Sequence, residues 1–294
     1  MKTTVSKSPD KPMPVRDRSR AFGAILVEQG RLTPSDAEEI QRFARAHGLR
    51  FGAAAVQLKL LTQADIDFAL AQQFNYPILS RRGENSVGAD VVAAYKPQCD
   101  EVETLRALRS QLTLRWFNDS SHKALSITSP ERGEGRSWLA ANLATVFAQM
   151  GERTLLIDAD MRHPRQHELF NLSNVVGLSA LLTGRAGREI VCRIHPQLRL
   201  FVLPAGLLPP NPQELLGRPI FEVVLELFSD QFDVVVIDTP AATETADAQI
   251  VARLAGATLM VARRNRTRQT QLTATMETLT QTGVNVIGSV FNEY

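Results

Sequence analysis

ALSITSPERGEGRSWLAANLATVFAQ, residues 124–149, is the stretch on which the fold turns. A short apolar, β-rich run passes through a turn carrying Gly133 and Gly135 into a helix-compatible segment. A glycine-rich turn between strand and helix aims backbone N–H groups and the positive helix end at a phosphate, and glycine permits the close approach. The Walker A form of such a loop ends in Gly-Lys-Ser/Thr; here Arg136 stands at the lysine position and Ser137 keeps the hydroxyl that binds Mg2+. Such a turn also serves as an ordinary strand–helix connection, so its surroundings have to decide.

Working outward, the runs TLLIDAD (154–160), LRLFVLP (198–204), DVVVIDTP (233–240), ATLMVAR (257–263) and NVIGSVF (285–291) are short, apolar and separated by helix-compatible segments. Strands apolar on both faces and spaced this way predict an α/β fold, a mainly parallel sheet with helices on both faces. In such sheets ligands sit at the carboxyl ends of the strands. Asp158, Asp160 and Asp238 end two of these runs, where hard oxygen ligands suit a partly hydrated Mg2+. One such aspartate could merely cap a turn; three of them beside a glycine loop point to a nucleotide site.

Upstream, FGAILVEQGRLT from Phe22 recurs as FGAAAVQLKLLT from Phe51, an offset of 29 residues. Thr33 and Thr62 are placed as helix N-caps, and Pro34 at a favoured first helical position. The expected organisation is a disordered arm over 1–19, a small helical repeat domain over 20–80, a linker over 81–100 and a P-loop domain over 101–294. A chain of 294 residues with 44% hydrophobic content can bury one large core and a smaller one. Its net charge of +2 creates no overall field for nucleic acid, so no nucleic-acid partner is expected. Cys99 and Cys192 lack the paired spacing of zinc sites. The basic N-terminal stretch has no apolar signal-peptide core and no run of about 18 apolar residues occurs, so a soluble, cytoplasmic chain is expected.

The order S-P-x-x-G-E-G-x-S, L-L-I-D-A-D-x-R-x-P, P-x-N-P-x-E-L-L and V-V-I-D-T-P resembles the bacterial tyrosine kinase family, in particular the EpsG-like members of exopolysaccharide operons, from about Glu103 to Asn292. The resemblance implies an ATP·Mg2+ site. Gly133, Glu134, Gly135, Arg136, Ser137 and Trp138 would bind the nucleotide, and Ser137, Asp160 and Asp238 the metal. Arg136, Asp158 and Asp160 would be catalytic, with Asp158 orienting or deprotonating a tyrosine hydroxyl, although the division of roles between Asp158 and Asp160 stays open. Glu103, Arg106 and Arg109 reproduce an E-x-x-R-x-x-R pattern that joins subunits in relatives, while their spacing alone suggests pairing within one helix. The implied activator is the cytoplasmic tail of a membrane-bound polysaccharide chain-length regulator, which would place the chain at the inner membrane through a partner.

The chain departs from that pattern at Arg136, at Trp138, which replaces a small residue, and in its tyrosines, which are Tyr76, Tyr95 and Tyr294 rather than a terminal cluster. Three functions follow: a tyrosine autokinase controlling polysaccharide polymerisation and export, an inactive nucleotide-binding scaffold of the same machinery, and a MinD- or ParA-like ATPase. Pro130, Glu131 and Arg132 occupy the place of the extra lysine that the last group carries. The basic run Arg263, Arg264, Arg266 and Arg268 reads as a solvated loop, or as a contact for an activator tail, phosphate or lipid. The N-terminal repeat is similar to the front domain of type II secretion ATPases. Its second copy, from Arg50-Phe51-Gly52 to Ala69-Leu70 and Gln73, follows that pattern better, which raises cyclic di-GMP beside protein docking as its ligand.

Overall fold

A computed structural model describes residues 15–28, 30–73, 76–79 and 86–293. The chain divides into two compact units, 1–78 and 79–294. Residues 1–14 of the expected arm lie outside the described residues, while residues 15–19 open a helix instead of continuing an arm.

The first unit holds α1 (Val15–Glu28), α2 (Pro34–His47), α3 (Phe51–Gln57) and α4 (Gln63–Gln73). The repeat is visible in its caps. Thr33 N donates to Asp36 Oδ2 and Asp36 N to Thr33 Oγ1, and Thr62 and Asp65 exchange the same bonds at the head of α4. The equivalent Phe22 and Phe51 meet edge-to-face at 5.9 Å, and Arg31 of one copy pairs with Asp65 of the other. The two copies thus share one core, built on Leu26, Ile40, Ala54 and Ile66.

The second unit opens with α5 (Val92–Tyr95) and α6 (Asp100–Arg115), then β1 (Ala124–Thr128), α7 (Arg136–Gln149), β2 (Thr154–Asp158), α8 (Gln166–Leu169) and α9 (Leu178–Leu182). It continues with β3 (Cys192–Arg193), β4 (Leu200–Leu203), α10 (Pro212–Leu216), α11 (Pro219–Ser229), β5 (Val234–Asp238), α12 (Asp247–Ala255), β6 (Ala257–Arg263), α13 (Gln269–Gln281) and β7 (Asn285–Asn292). These seven strands form one sheet in the order β3-β4-β2-β5-β1-β6-β7, parallel except at β3. The two-residue antiparallel β3 is the strand that apolar periodicity missed, being too short to carry any.

Side chains alternate between the two faces. Leu125 and Ile127 of β1, Leu156 of β2 and Val236 of β5 face the core under α6 and α7, whereas Leu155, Ile157, Val235 and Ile237 face the core under α10 to α12. Helix α7 is buried on nearly every side from Leu139 to Gln149, its small and apolar residues packing all round and Asn142, Thr145 and Gln149 hydrogen-bonded within the core. At the opposite end of β1 from the phosphate loop, Trp116 is buried, donates Nε1 to Ala124 O (2.9 Å) and stacks on His122 at 3.7 Å.

The linker expected over 81–100 is corrected from residue 86 onward, residues 81–85 lying outside the described residues. Val87, Val91, Ala93 and Ala94 belong to the main core. Asn142 Oδ1 accepts from Ala93 N, Gln149 Nε2 donates to Ala93 O, and the Tyr95 hydroxyl bonds both N and O of Val87. VVAAY is apolar enough to be drawn into the sheet's helical layer, and two buried polar side chains of α7 satisfy its backbone.

Candidate nucleotide site

Register brings the sequence-predicted residues together. Asp158 and Asp238 are direct partners across β2 and β5, and Ile127 of β1 is paired with Asp238 on the other side. The loop from Ser129 to Gly135 therefore leaves β1 beside the ends of both acidic strands. Gly133 and Gly135 have φ values of +75° and +100°, in the left-handed region. The backbone angle at Gly135 favours glycine, and a Cβ there would have to displace the Asn292 amide.

Two of the implied nucleotide residues have side chains engaged within the protein. Glu134, expected among the nucleotide ligands, is fully buried, and its carboxylate accepts from Glu131 N (2.8 Å) and from the Thr267 hydroxyl. Its side chain braces the loop from beneath. Arg136, expected to act on the phosphoryl group, borders the cavity but is 7% exposed, with Nε donating to Thr239 O (2.9 Å) and Nη1 to Glu131 O (2.6 Å) and Ser129 Oγ. The guanidinium pins the loop to β5. Of the basic run read as solvated, Arg263 donates to Gly133 O (2.9 Å) and Arg266 lies against Gly133, so two of its cations flank the phosphate loop.

The carboxylates differ in access. Asp158 is fully buried; its Oδ1 accepts from Asp160 N and its Oδ2 from Arg165 N and Gln166 N at 2.9–3.2 Å. That is the work of a turn-forming residue, which conflicts with the implied contact to a tyrosine hydroxyl. Burial, then the neighbouring Asp238 charge, pushes the Asp158 carboxyl well above the usual carboxylate range. Asp160 borders a cavity of about 320 Å³ together with Gly133, Gly135, Arg136, Ser137, Trp138, and His163. Asp238 is pushed up to about 6 by burial, against the opposing pull of the Gln166 amide, the Arg136 guanidinium and the Ser137 hydroxyl.

Gln166 escaped the sequence reading, because a lone glutamine opening the four-residue helix α8 carries no periodic or motif signal. It is fully buried, and its Nε2 donates to Asp238 Oδ2 (2.7 Å) and Ser137 O (3.1 Å). Asp238 Oδ1 and Gln166 Oε1 are buried with no hydrogen-bond partner. Bare buried acceptors beside Ser137 fit a cation and its waters. Among the described residues no group of three or more His, Cys, Asp or Glu side chains is arranged to hold a metal by itself.

Trp138 is half-buried and borders a second cavity as well, of about 610 Å³, whose walls include Leu105, Leu139, Val290 and Asn292. On α6, Arg106 pairs with Glu103 within the helix, and Arg109 Nη1 donates to Val146 O of α7 (2.9 Å). Tyr294 lies outside the described residues.

No profile of a known protein family matches the chain. It is 35% identical over 203 residues to the tyrosine-protein kinase YwqD of Bacillus subtilis, covering 69% of this chain and 85% of that protein. It is 33% identical over 224 residues to the tyrosine-protein kinase ptk of Acinetobacter johnsonii, covering 76% of this chain but only 29% of the relative's length. Among solved structures, the kinase domain of the Escherichia coli tyrosine kinase ETK superposes with a TM-score of 0.67 at 33% identity, covering 72% of this chain and 82% of that one. The cell division ATPase MinD of Pyrococcus furiosus, at 23% identity and a TM-score of 0.52, shares the fold.

Proposed function

The chain belongs to the bacterial tyrosine-protein kinases, and from that premise we propose that it is an ATP·Mg2+-dependent tyrosine autokinase regulating exopolysaccharide chain length, polymerisation and export. The observation that supports this most is the convergence of the glycine loop, Ser137, Asp160 and Asp238 at one end of the sheet.

In this reading the backbone N–H groups of the loop and the start of α7 hold the phosphates, while Gly133 and Gly135 admit them. Ser137, Asp238 and Asp160 would hold Mg2+, which would supply charge neutralisation for phosphoryl transfer. Asp160, which reaches the cavity where Asp158 does not, accepts the proton of an entering tyrosine hydroxyl. Arg136 holds the loop shut on β5, and Arg266 adds positive charge beside Gly133. The wider cavity past Trp138 has an apolar side, with Leu105, Leu139 and Val290, on which a base could pack, and an acidic rim at Asp100, Glu101 and Glu293. Tyr95 is built into the fold through Val87, which leaves Tyr76, Tyr294 or a tyrosine of another protein as the acceptor.

The chain assembles with copies of itself through Glu103, Arg106 and Arg109 and works beside a membrane-bound chain-length regulator whose cytoplasmic tail activates it. Among the described residues no helix is long and apolar enough to cross a membrane, so contact with the membrane runs through that partner in this reading. The N-terminal unit serves as a docking module.

The deciding experiment incubates the purified chain with labelled ATP and Mg2+, with and without the regulator's tail. Label on tyrosine is the expected result. Nucleotide binding without transfer would instead favour the inactive scaffold, the reading to which the engaged guanidinium of Arg136 lends weight. Release of free phosphate without labelled protein would favour the MinD-like reading.

A further inference from the structure

We infer that Gln166 is a positioning residue for hydrated Mg2+, accepting a hydrogen bond from a metal-bound water through Oε1 while its amide N–H groups hold Asp238 and the start of α7. This rests on the site being a nucleotide·Mg2+ site.

The orientation of the amide is fixed by its neighbours. Nε2 faces two acceptors, Asp238 Oδ2 at 2.7 Å and Ser137 O at 3.1 Å, and a flipped amide would set oxygen against both. Oε1 is therefore turned away from them, and it has no donor. Asp238 Oδ1, on the carboxylate that Gln166 grips, is bare as well. Both residues are fully buried, so bulk water does not satisfy these atoms.

The missing group has to donate rather than accept, and it has to be drawn to a carboxylate. Arg136, the cation nearest in sequence to Ser137, turns Nε and Nη1 to Thr239 O, Glu131 O and Ser129 Oγ, and makes no hydrogen bond to Asp238 Oδ1. A water on Mg2+ meets both conditions, because its lone pair is directed at the ion and both hydrogens point outward. Ser137 belongs to the same junction, since its carbonyl receives Nε2. The Gln166 backbone N–H also donates to Asp158 Oδ2 at 2.9 Å. One residue thereby ties the ends of β2 and β5 to the first turn of α7, and filling its empty acceptor steadies all three.

The test uses the full chain and a fluorescent ADP analogue, whose dissociation constant is measured in EDTA and across a Mg2+ titration, with melting of the ligand-free protein recorded alongside. Gln166→Met keeps the length and removes the polar atoms; Gln166→Glu keeps an acceptor and adds charge beside Asp238. For Gln166→Met the Mg2+ concentration at half-effect is expected to rise by about tenfold or more, while affinity in EDTA moves by less than about threefold. For Gln166→Glu the ligand-free protein melts lower and the Mg2+-linked gain in affinity grows, because the ion relieves the repulsion between two carboxylates. Should Gln166→Met fail to fold, the sign of the Glu effect decides. A lower melting point with an unchanged Mg2+ half-effect, or a shift of the same sign in both variants, overturns the inference and leaves Gln166 a purely structural residue. A wild-type chain whose ADP affinity ignores Mg2+ overturns the nucleotide·Mg2+ reading itself.

Discussion

Arg136 carries two opposing demands. Its guanidinium holds the phosphate loop to β5 through three acceptors, whereas a lysine ammonium is a compact charge able to follow the γ-phosphoryl group. Arg136→Lys is expected to raise phosphoryl transfer by at least about tenfold, roughly 1.4 kcal/mol of barrier, as read in a labelled-ATP assay. The same change removes part of the clamp and costs about 1 kcal/mol of stability, seen as a lower melting temperature. Asp238 sets a pH dependence. Its folded pKa of about 6 lies above its ordinary value of 3.8, so in the ligand-free protein the contribution to stability is present below about 4 and is lost as pH rises through 6. Asp158, also raised, acts in the same direction. Mg2+ needs the ionised carboxylate, so the sign reverses for binding. The Mg2+ half-effect on nucleotide affinity is expected to rise as pH falls from 7.5 to 5, approaching about tenfold per unit below the pKa, and Asp238→Asn should flatten that slope. Residues with a motif around them, Gly133, Ser137, Asp160 and Asp238, were legible in the sequence. Gln166, Thr267 and Gln271 were not, because each acts through a side chain that meets its partner only after the sheet has formed.

Elements were legible where periodicity lasts for several residues. Six of the strands were evident as short apolar runs, and the N-caps Thr33 and Thr62 marked two helices. The segment before α6 was misread, because loop-like composition over 80–90 hid the apolar VVAAY behind it. That short strap closes the face over α7 with Val91, Ala93 and Ala94, each nearly or fully buried. Its removal opens a cavity in the core, which costs several kcal/mol, roughly 3 or more for a group of such residues. A chain beginning at residue 79 is expected to keep ADP affinity within about threefold of the full chain, since the nucleotide residues and their core lie within that unit. A chain beginning at residue 101 should melt far lower and bind poorly, as differential scanning fluorimetry with and without ADP would record. Equal melting of the two truncations would return 81–100 to the status of a linker.

Across the whole molecule, the E-x-x-R-x-x-R pattern has work to do before any second copy arrives. Arg109 reaches the backbone of α7, while Glu103 and Arg106 pair on the more open side of α6. Arg106→Ala is accordingly expected to reduce the assembly's mass by light scattering with little change in melting temperature, whereas Arg109→Ala should also lower the melting temperature, by up to a few degrees. An unchanged mass in both would confine the pattern to the monomer. The distribution of aromatic residues has a use of its own. The chain contains two tryptophans. One, Trp116, is sealed against His122 at the far end of β1, and the other, Trp138, stands at the mouths of both cavities beside the phosphate loop. Their emission therefore divides into a constant background and a signal, so the protein reports the arrival of a nucleotide optically, without a label, and Trp116→Phe leaves that reporter on a dark field.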